Sequence, residues 1–495
     1  MISDKVLIYL PVENDDNIII KKNLVNDLSY YDFQIINNIE TCDVDELKNF
    51  FIIIELAKCK IKSDLIDILM PHINIIITKN EYDNKKIYKF DNYDDLCNKI
   101  IALTPKKRDF LYLTITMNIP KNHQKFPATM KEINYNAVCE NIHIKKYLNN
   151  TFDIKNIMNL DIIPFLTDYK LILISSLVFV TSISKNNNKI LISKAKYLKG
   201  IKNITILTHD LHENSFMVLE INNSYISPNY INGIYQPVLK NSVAKEKTKE
   251  LLEIFNVNNV ISIYDCPEYD FFVKYNKQID KFYIINHGYP NDVFKVIATE
   301  KKYDILFYGT CLDSVYPFRG RLLRICEKMN IKLKKLESVS GIYDSNIYED
   351  QLSKYINESW MCIACVSNYS YYVRKYLEIT AAGSVVLGDI NPQGKKILGD
   401  GFIEVSNKMS DQEIINIIKY YLDNKHLLLK MYEKNATLIK NYDYENYANN
   451  LTAIAYDIIN TDDDKDNNFK FSYNSYKNSI NDSINDGICD TRLNK

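Results

Sequence analysis

The sequence is short of residues that break or cross-link a chain. Only 12 glycines and 12 prolines occur among 495 residues, which excludes collagen-like and proline-rich proteins. One tryptophan stands against 38 tyrosines, a skew that fits an AT-rich coding sequence better than any chemistry. Neither sign of charge is in excess: 61 Lys+Arg against 62 Asp+Glu leave a formal net charge of -1. The electrostatic footprint of a nucleic-acid binder is therefore missing, and no nucleic-acid partner is expected. Long apolar runs are missing too. The most apolar stretch, 171–183, is shorter than the ~18 residues of a spanning helix. It also carries Ser175, Ser176, Thr181 and Ser182, so it reads as a buried strand and turn with no transmembrane segment. Peripheral contact with a membrane stays open.

Several signatures of chemistry are missing as well. No Gly-x4-Gly-Lys-Ser/Thr, Gly-x-Gly-x-x-Gly or Gly-x-Ser-x-Gly occurs. The ten cysteines are scattered, and only Cys362 and Cys365 form a CxxC. A zinc site needs a second ligand pair at comparable spacing, so these two read as core thiols in a strand. Dispersed free cysteines suit a reducing compartment. The start, Met1-Ile2-Ser3-Asp4-Lys5, lacks the basic-then-apolar layout of a signal peptide, and a cytoplasmic protein is expected. No metal site is expected. Asp462-Asp463-Asp464 resembles a metal-binding Asp-x-Asp but follows a helix, not a central strand.

What is present is an alternation. Apolar runs of strand length at 5–12, 51–57 and 73–78 are interleaved with segments of helical period at 63–71 and 93–103. Alternating strands and helices imply α/β architecture with parallel sheets. Thr104-Pro105-Lys106-Lys107-Arg108 reads as a linker closing an N-terminal α/β accessory module, 1–105. Strands at 109–115, 170–180, 203–208 and 259–263 mark a second unit, 106–290. A third, 291–460, begins at Asp304-Ile305-Leu306-Phe307-Tyr308. It continues with a helix at 319–329, a strand at 360–366, a helix at 371–382 and a strand at 384–388. Helices at 410–424 and 441–459 end it. Residues 461–495 are rich in Asp, Asn and Ser, poor in aliphatics, and read as a disordered tail. The second and third units together suggest two Rossmann-like domains facing a cleft, with ligands beyond the carboxyl ends of the strands.

The most informative run is Arg374-Lys375-Tyr376-Leu377-Glu378-Ile379-Thr380-Ala381-Ala382-Gly383, followed by Ser384-Val385-Val386-Leu387-Gly388-Asp389. Glu378 shares a helix face with the basic pair, Gly383 supplies the turn, and the chain enters a strand directly. Spacing alone is equally consistent with a surface salt bridge.

This run resembles the donor-nucleotide motif of GT-B glycosyltransferases, in particular the group 1 type similar to spore-maturation-like bacterial glycosyltransferases. Two further segments match in the family's order. Tyr303 to Thr310 with Tyr316-Pro317-Phe318-Arg319 is similar to the first strand and loop of the carboxy-terminal domain, and Ile285 to Phe294 is similar to the inter-domain hinge. The likeness covers about 260–460. It implies a hexosyltransferase-type enzyme that moves a sugar from a nucleotide-diphosphate sugar to an acceptor hydroxyl without a metal ion or other cofactor. The acceptor would be a glycan, protein or lipid. Under the resemblance, Glu378 would hold ribose or donor-sugar hydroxyls. Arg319, helped by Arg374 or Lys375, would face the diphosphate, and Gly309 would let backbone amides approach it. Gly383 would close the donor-site helix. Many group 1 enzymes carry a further Glu where this chain has Ser370, which leaves the sugar unspecified.

The acceptor side offers one run, Thr208-His209-Asp210-Leu211-His212, at the end of a strand. His209 or Asp210 there would serve as the catalytic base or bond the reacting sugar; ordinary loop polarity is the alternative. Two other readings keep the fold: a nucleotide-sugar epimerase, and a degenerate transferase acting as a scaffold or binding subunit.

Overall fold

The computed structural model describes residues 108–114, 144, 147–163, 166–175, 191–208, 249–263, 276, 278–309, 316–336, 349–366 and 372–460; elsewhere it describes only the backbone of strands within 1–107 and 219–235. The fold is α/β. Among the described residues, three sheets of five or six strands occupy 5–89, 110–284 and 303–404, with two two-stranded hairpins besides. The expected helices at 63–71 and 93–103 and the expected tail at 461–495 lie outside the described residues.

The first sheet contains β1 (Lys5–Tyr9), β2 (Asp32–Ile36), β3 (Ile52–Glu55), β4 (Ile75–Thr78) and β5 (Ile87–Lys89), in the order β2-β1-β3-β4-β5. All its pairs are parallel, with Val6 opposite both Phe33 and Ile52. The second contains β6 (Phe110–Thr114), β7 (Phe152–Asn156), β8 (Leu171–Ser175) and β9 (Ile204–Thr208). Two antiparallel hairpins, β10 (Leu219–Ile221) with β11 (Ser224–Ile226) and β12 (Tyr230–Ile231) with β13 (Ile234–Tyr235), precede its last strands. Those are β14 (Asn259–Ser262) and β15 (Lys281–Ile284), and the order is β15-β14-β9-β8-β6-β7. Every residue of β6, β8, β9 and β14 is buried, the pattern of a sheet covered on both faces.

The third sheet contains β16 (Tyr303–Tyr308), β17 (Leu333–Leu336), β18 (Ser359–Ile363), β19 (Val385–Gly388) and β20 (Ile403–Glu404), all parallel, in the order β17-β16-β18-β19-β20. Counting helices from this region, α1 is Pro317–Glu327, α2 Glu349–Asn357, α3 Lys375–Ala381, α4 Pro392–Leu398, α5 Asp411–Asp423, α6 Lys425–Leu438 and α7 Tyr444–Asn460. The period of two along a strand sends alternate residues to opposite faces. Ile305, Phe307, Met361, Ile363, Val385 and Leu387 pack with residues of α1, α5 and α6. Leu306, Tyr308, Cys362, Ala364 and Val386 pack with α2, α3 and α4. Strands buried on both faces explain why the sequence there is continuously apolar.

The chain divides into two compact units. One comprises Met1–Asn118, Thr151–Leu173 and Lys185–Lys202; the other comprises Ile119–Asn150, Ile174–Ser184 and Asn203–Lys495. Within the latter, α7 returns to β15. Lys281 Nζ donates to the Ile458 carbonyl (2.7 Å), and the Tyr283 hydroxyl bonds Asp457. The helix expected at 441–459 to pack on the 106–290 segment does so at this edge strand. Of its expected buried face, Tyr444, Tyr447, Leu451, Ala455 and Ile458 are buried and Ile454 is half-buried.

Candidate functional site

In the third sheet the strand order reverses between β16 and β18, which begin neighbouring crossovers to opposite sides. In an open parallel sheet that point, at the carboxyl ends of the strands, forms a crevice. Three of the expected site residues, Gly309, Lys375 and Arg319, come to it.

Gly309 directly follows β16 and has φ +88, a conformation glycine adopts without penalty. Its missing side chain also makes room: a Cβ there would collide with Lys375 Nζ. Lys375 opens α3 and reaches across to donate to the Tyr308 carbonyl (2.7 Å), with Nζ 4.4 Å from the Tyr308 ring centroid. Arg319 comes from the first turn of α1, whose start is fixed by Pro317. It is 2% exposed, and its Nη2 donates to the Cys365 carbonyl (2.8 Å). Its guanidinium carbon lies 3.5 Å from the centroid of the Tyr316 ring, a cation–π stack.

Arg374 and Glu378 form an ion pair one helical turn apart, Nε to Oε1 2.6 Å. The spacing suggested a surface bridge; the pair is instead buried, with side chains 3% and 2% exposed. Arg374 Nη1 also lies 3.1 Å from the Tyr444 hydroxyl, so α7 closes over it. Gly383 is not brought to the crevice. With φ +76 it ends α3 at the amino end of β19, the far edge of the sheet, and its carbonyl accepts from Lys301. It serves the turn. His209 and Asp210 lie outside the described residues.

One residue at the crevice was not singled out from sequence. Asp389 follows β19, and its Oδ1 accepts from the Val366 amide (3.0 Å). Burial, opposed by the bonds from Val366 and Cys365 and by Arg319, pushes its carboxyl up to about 6. A Cβ on the preceding Gly388 would collide with the Ala364 carbonyl oxygen, so glycine lets β19 close on the end of β18. The available signal was a carboxylate placed directly after an apolar strand and a glycine. Burial also raises the Cys362 thiol to about 12, and the Cys365 thiol rises for the same reason. Both are thus protonated core thiols, as the sequence suggested. Among the described residues no group of three or more His, Cys, Asp or Glu gathers as metal ligands, and no helix is long and apolar enough to cross a membrane.

No protein-family model and no curated protein matches this chain. Solved structures similar to it include Anabaena HepE in complex with UDP and glucose (10% identity, 70% of this chain and 99% of that one, TM-score 0.42). Sucrose-phosphate synthase from Thermosynechococcus elongatus is similar over 92% of this chain and 99% of its own, at 10% identity and TM-score 0.43. A glycosyltransferase from Rickettsia africae is similar over 93% and 99%, at 12% identity and TM-score 0.36. At these scores the likenesses do not say what this chain binds or does.

Proposed function

We propose that this chain transfers a sugar, of hexosyl type, from a nucleotide-diphosphate sugar to an acceptor hydroxyl, without a metal ion. The observation that carries the reading is the convergence of Arg319, Lys375 and Gly309 on the crevice of the third sheet. The two cations come from different helices, and their bonds there go to carbonyl oxygens and aromatic faces. A diphosphate offers both cations a stronger, charge-assisted partner.

In the transfer, the bond between the anomeric carbon and the diphosphate oxygen breaks and the acceptor oxygen takes its place. Arg319 and Lys375 would meet the negative charge that gathers on the departing diphosphate. His209 or Asp210 would take the acceptor proton, an assignment that rests on the sequence alone. The cytoplasm is the proposed place of action.

A second reading, a chain that binds a nucleotide sugar without transferring it, is favoured by one observation. Glu378, expected to hold donor hydroxyls, is buried and engaged with Arg374. Incubation with a panel of nucleotide sugars and acceptors separates the two: transfer releases free nucleoside diphosphate, and binding alone does not. Calorimetry tests the crevice itself. Arg319→Ala should weaken a nucleoside diphosphate by about 1.5–3 kcal/mol and the bare nucleoside much less, since only the former carries the charge. Equal losses for both ligands would remove Arg319 from the phosphate site. Absence of binding by the wild type across the panel would end the donor reading.

A further inference from the structure

One peptide group at the crevice is gripped from both ends. The carbonyl of the Cys365–Val366 peptide accepts from Arg319 Nη2 (2.8 Å), and its N–H donates to Asp389 Oδ1 (3.0 Å). Arg319 belongs to α1, the peptide follows β18, and Asp389 follows β19, so three elements meet on a single amide plane. Among the described residues, three titratable or charged groups face Asp389. Arg319 comes from α1, and the Cys365 thiol, which hydrogen-bonds the carboxylate, follows β18. Tyr376 comes from α3, close enough for the carboxylate to raise its phenol, and its hydroxyl donates to the Asp389 carbonyl (2.7 Å).

We propose that Asp389 is a positioning residue for Arg319: as a carboxylate it holds Arg319 on the Cys365 carbonyl, and as a neutral acid it releases Arg319 to the donor diphosphate. The proposal rests on the donor reading above. Two effects act in the same direction. An amide whose N–H donates to an anion becomes a better acceptor at its oxygen, so the carboxylate strengthens the Arg319 bond through the peptide. The carboxylate also attracts the guanidinium and repels an incoming diphosphate. Neutralising Asp389 loosens the clamp and removes the repulsion together. Its carboxyl, pushed up to about 6 by burial, changes charge close to neutrality, so the clamp is poised between its two states. Binding of the donor should therefore draw a proton onto Asp389.

The test uses the full chain and three probes, UDP-glucose, ADP-glucose and GDP-mannose. Both phosphates of each are esterified, so the ligand's own charge is constant across the range. Affinity is measured from pH 5.5 to 7.5, in buffers of different ionisation enthalpy so that proton uptake is read directly. The expected result is a loss of about tenfold in affinity toward pH 7.5, matching one pKa unit of coupling, with proton uptake on binding. Asp389→Asn, which keeps an oxygen for the Val366 amide, should give a flat profile without uptake. A probe that binds the wild type with a flat profile and no uptake overturns the proposal while leaving the donor reading intact. A slope that persists in a folded Asp389→Asn protein overturns it too. If the variant does not fold, uptake by the wild type decides. If no probe binds at any pH, the donor reading fails and this proposal falls with it.

Discussion

At the amino ends of β16, β18 and β19, Lys301 donates to the carbonyls of Ser359 (2.7 Å) and Gly383 (2.5 Å). Ser384 bonds the same Ser359 carbonyl, and Asn357 bonds the carbonyls of Lys295 and Ser353 while accepting from the Ile297 amide. These groups tie successive chain segments together, and a ligand would have to break the sheet's own anchorage to reach them. At the carboxyl ends the same kinds of side chain are arranged differently. Lys375 donates to the Tyr308 carbonyl and Arg319 to the Cys365 carbonyl, each against a tyrosine face, beside Gly309, whose lack of a side chain makes room for Lys375. Under the proposed function, the contrast separates charge that holds the fold from charge that meets the donor diphosphate. It also locates Arg374 and Glu378. Although they start from the ligand-side helix, their burial and their bond to Tyr444 put them with the holding group.

That placement carries the largest expected effect. Arg374→Ala leaves the Glu378 carboxylate buried without its guanidinium, a loss of about 3–5 kcal/mol by analogy with other broken buried pairs. Denaturant unfolding would measure it. Replacing both residues with apolar ones of similar volume should recover most of the loss. If Arg374→Ala instead costs nothing and only abolishes ligand binding, the pair belongs to the site and the division between the two ends is wrong.

The two ends should also bend the pH dependence of stability in opposite directions. Asp389 has a folded pKa of about 6, raised by burial above the ordinary carboxyl value of 3.8. The folded state therefore holds its proton longer, and the contribution to stability is present at low pH and lost as pH rises through 6. The full swing is about 3 kcal/mol. Lys301, at the other end, is lowered by burial from 10.5 to about 8. Here the unfolded state holds the proton longer, so stability rises with pH above 8. Asp389→Asn should remove the first slope and leave the second, and Lys301→Met should reduce the second and leave the first, the remainder coming from Lys155, also lowered by burial to about 8. Urea midpoints between pH 4 and 8.5 would show both, below the range where the buried thiols of Cys326 and Cys362 and buried tyrosines such as Tyr289, all raised to about 12, add their own loss.

Much of this architecture was legible in the sequence, because a parallel sheet covered on both faces writes its strands as unbroken apolar runs. The runs at 203–208, 259–263 and 384–388 are strands at 204–208, 259–262 and 385–388. Weakly patterned elements were not. β17, Leu-Lys-Lys-Leu, is an edge strand with little to bury, and α6 carries only Leu428 and Asn435 as buried residues. Arg319, Lys375 and Gly309 were singled out through the family resemblance, and their placement at strand and helix ends was readable from their neighbours. The fate of Glu378 was not, since Tyr444, which covers its partner, lies 70 residues away from Arg374 in the chain. Asp389 escaped notice because its role depends on a peptide of another strand.

The finest test compares two lysines that each donate to backbone carbonyls. Lys301→Met strips a donor from the Gly383 carbonyl and one from the Ser359 carbonyl, which keeps its bond from Ser384, and should cost about 1–3 kcal/mol of stability with donor affinity unchanged. Lys375→Met removes the bond to the Tyr308 carbonyl beside the crevice and should cost only about 0.5–1.5 kcal/mol. Lys375 is half-buried, so water can replace the lost donor. Its effect on nucleotide-sugar binding should be larger than its effect on folding, about 1.5–3 kcal/mol, because the lost partner there is a charged phosphate. The ratio of binding loss to stability loss, measured by calorimetry and urea unfolding on the same preparations, is the discriminating number. A ratio above one for Lys375 and near zero for Lys301 confirms that the sheet keeps its two ends for different work. Equal ratios would mean that Lys375, too, only holds the fold.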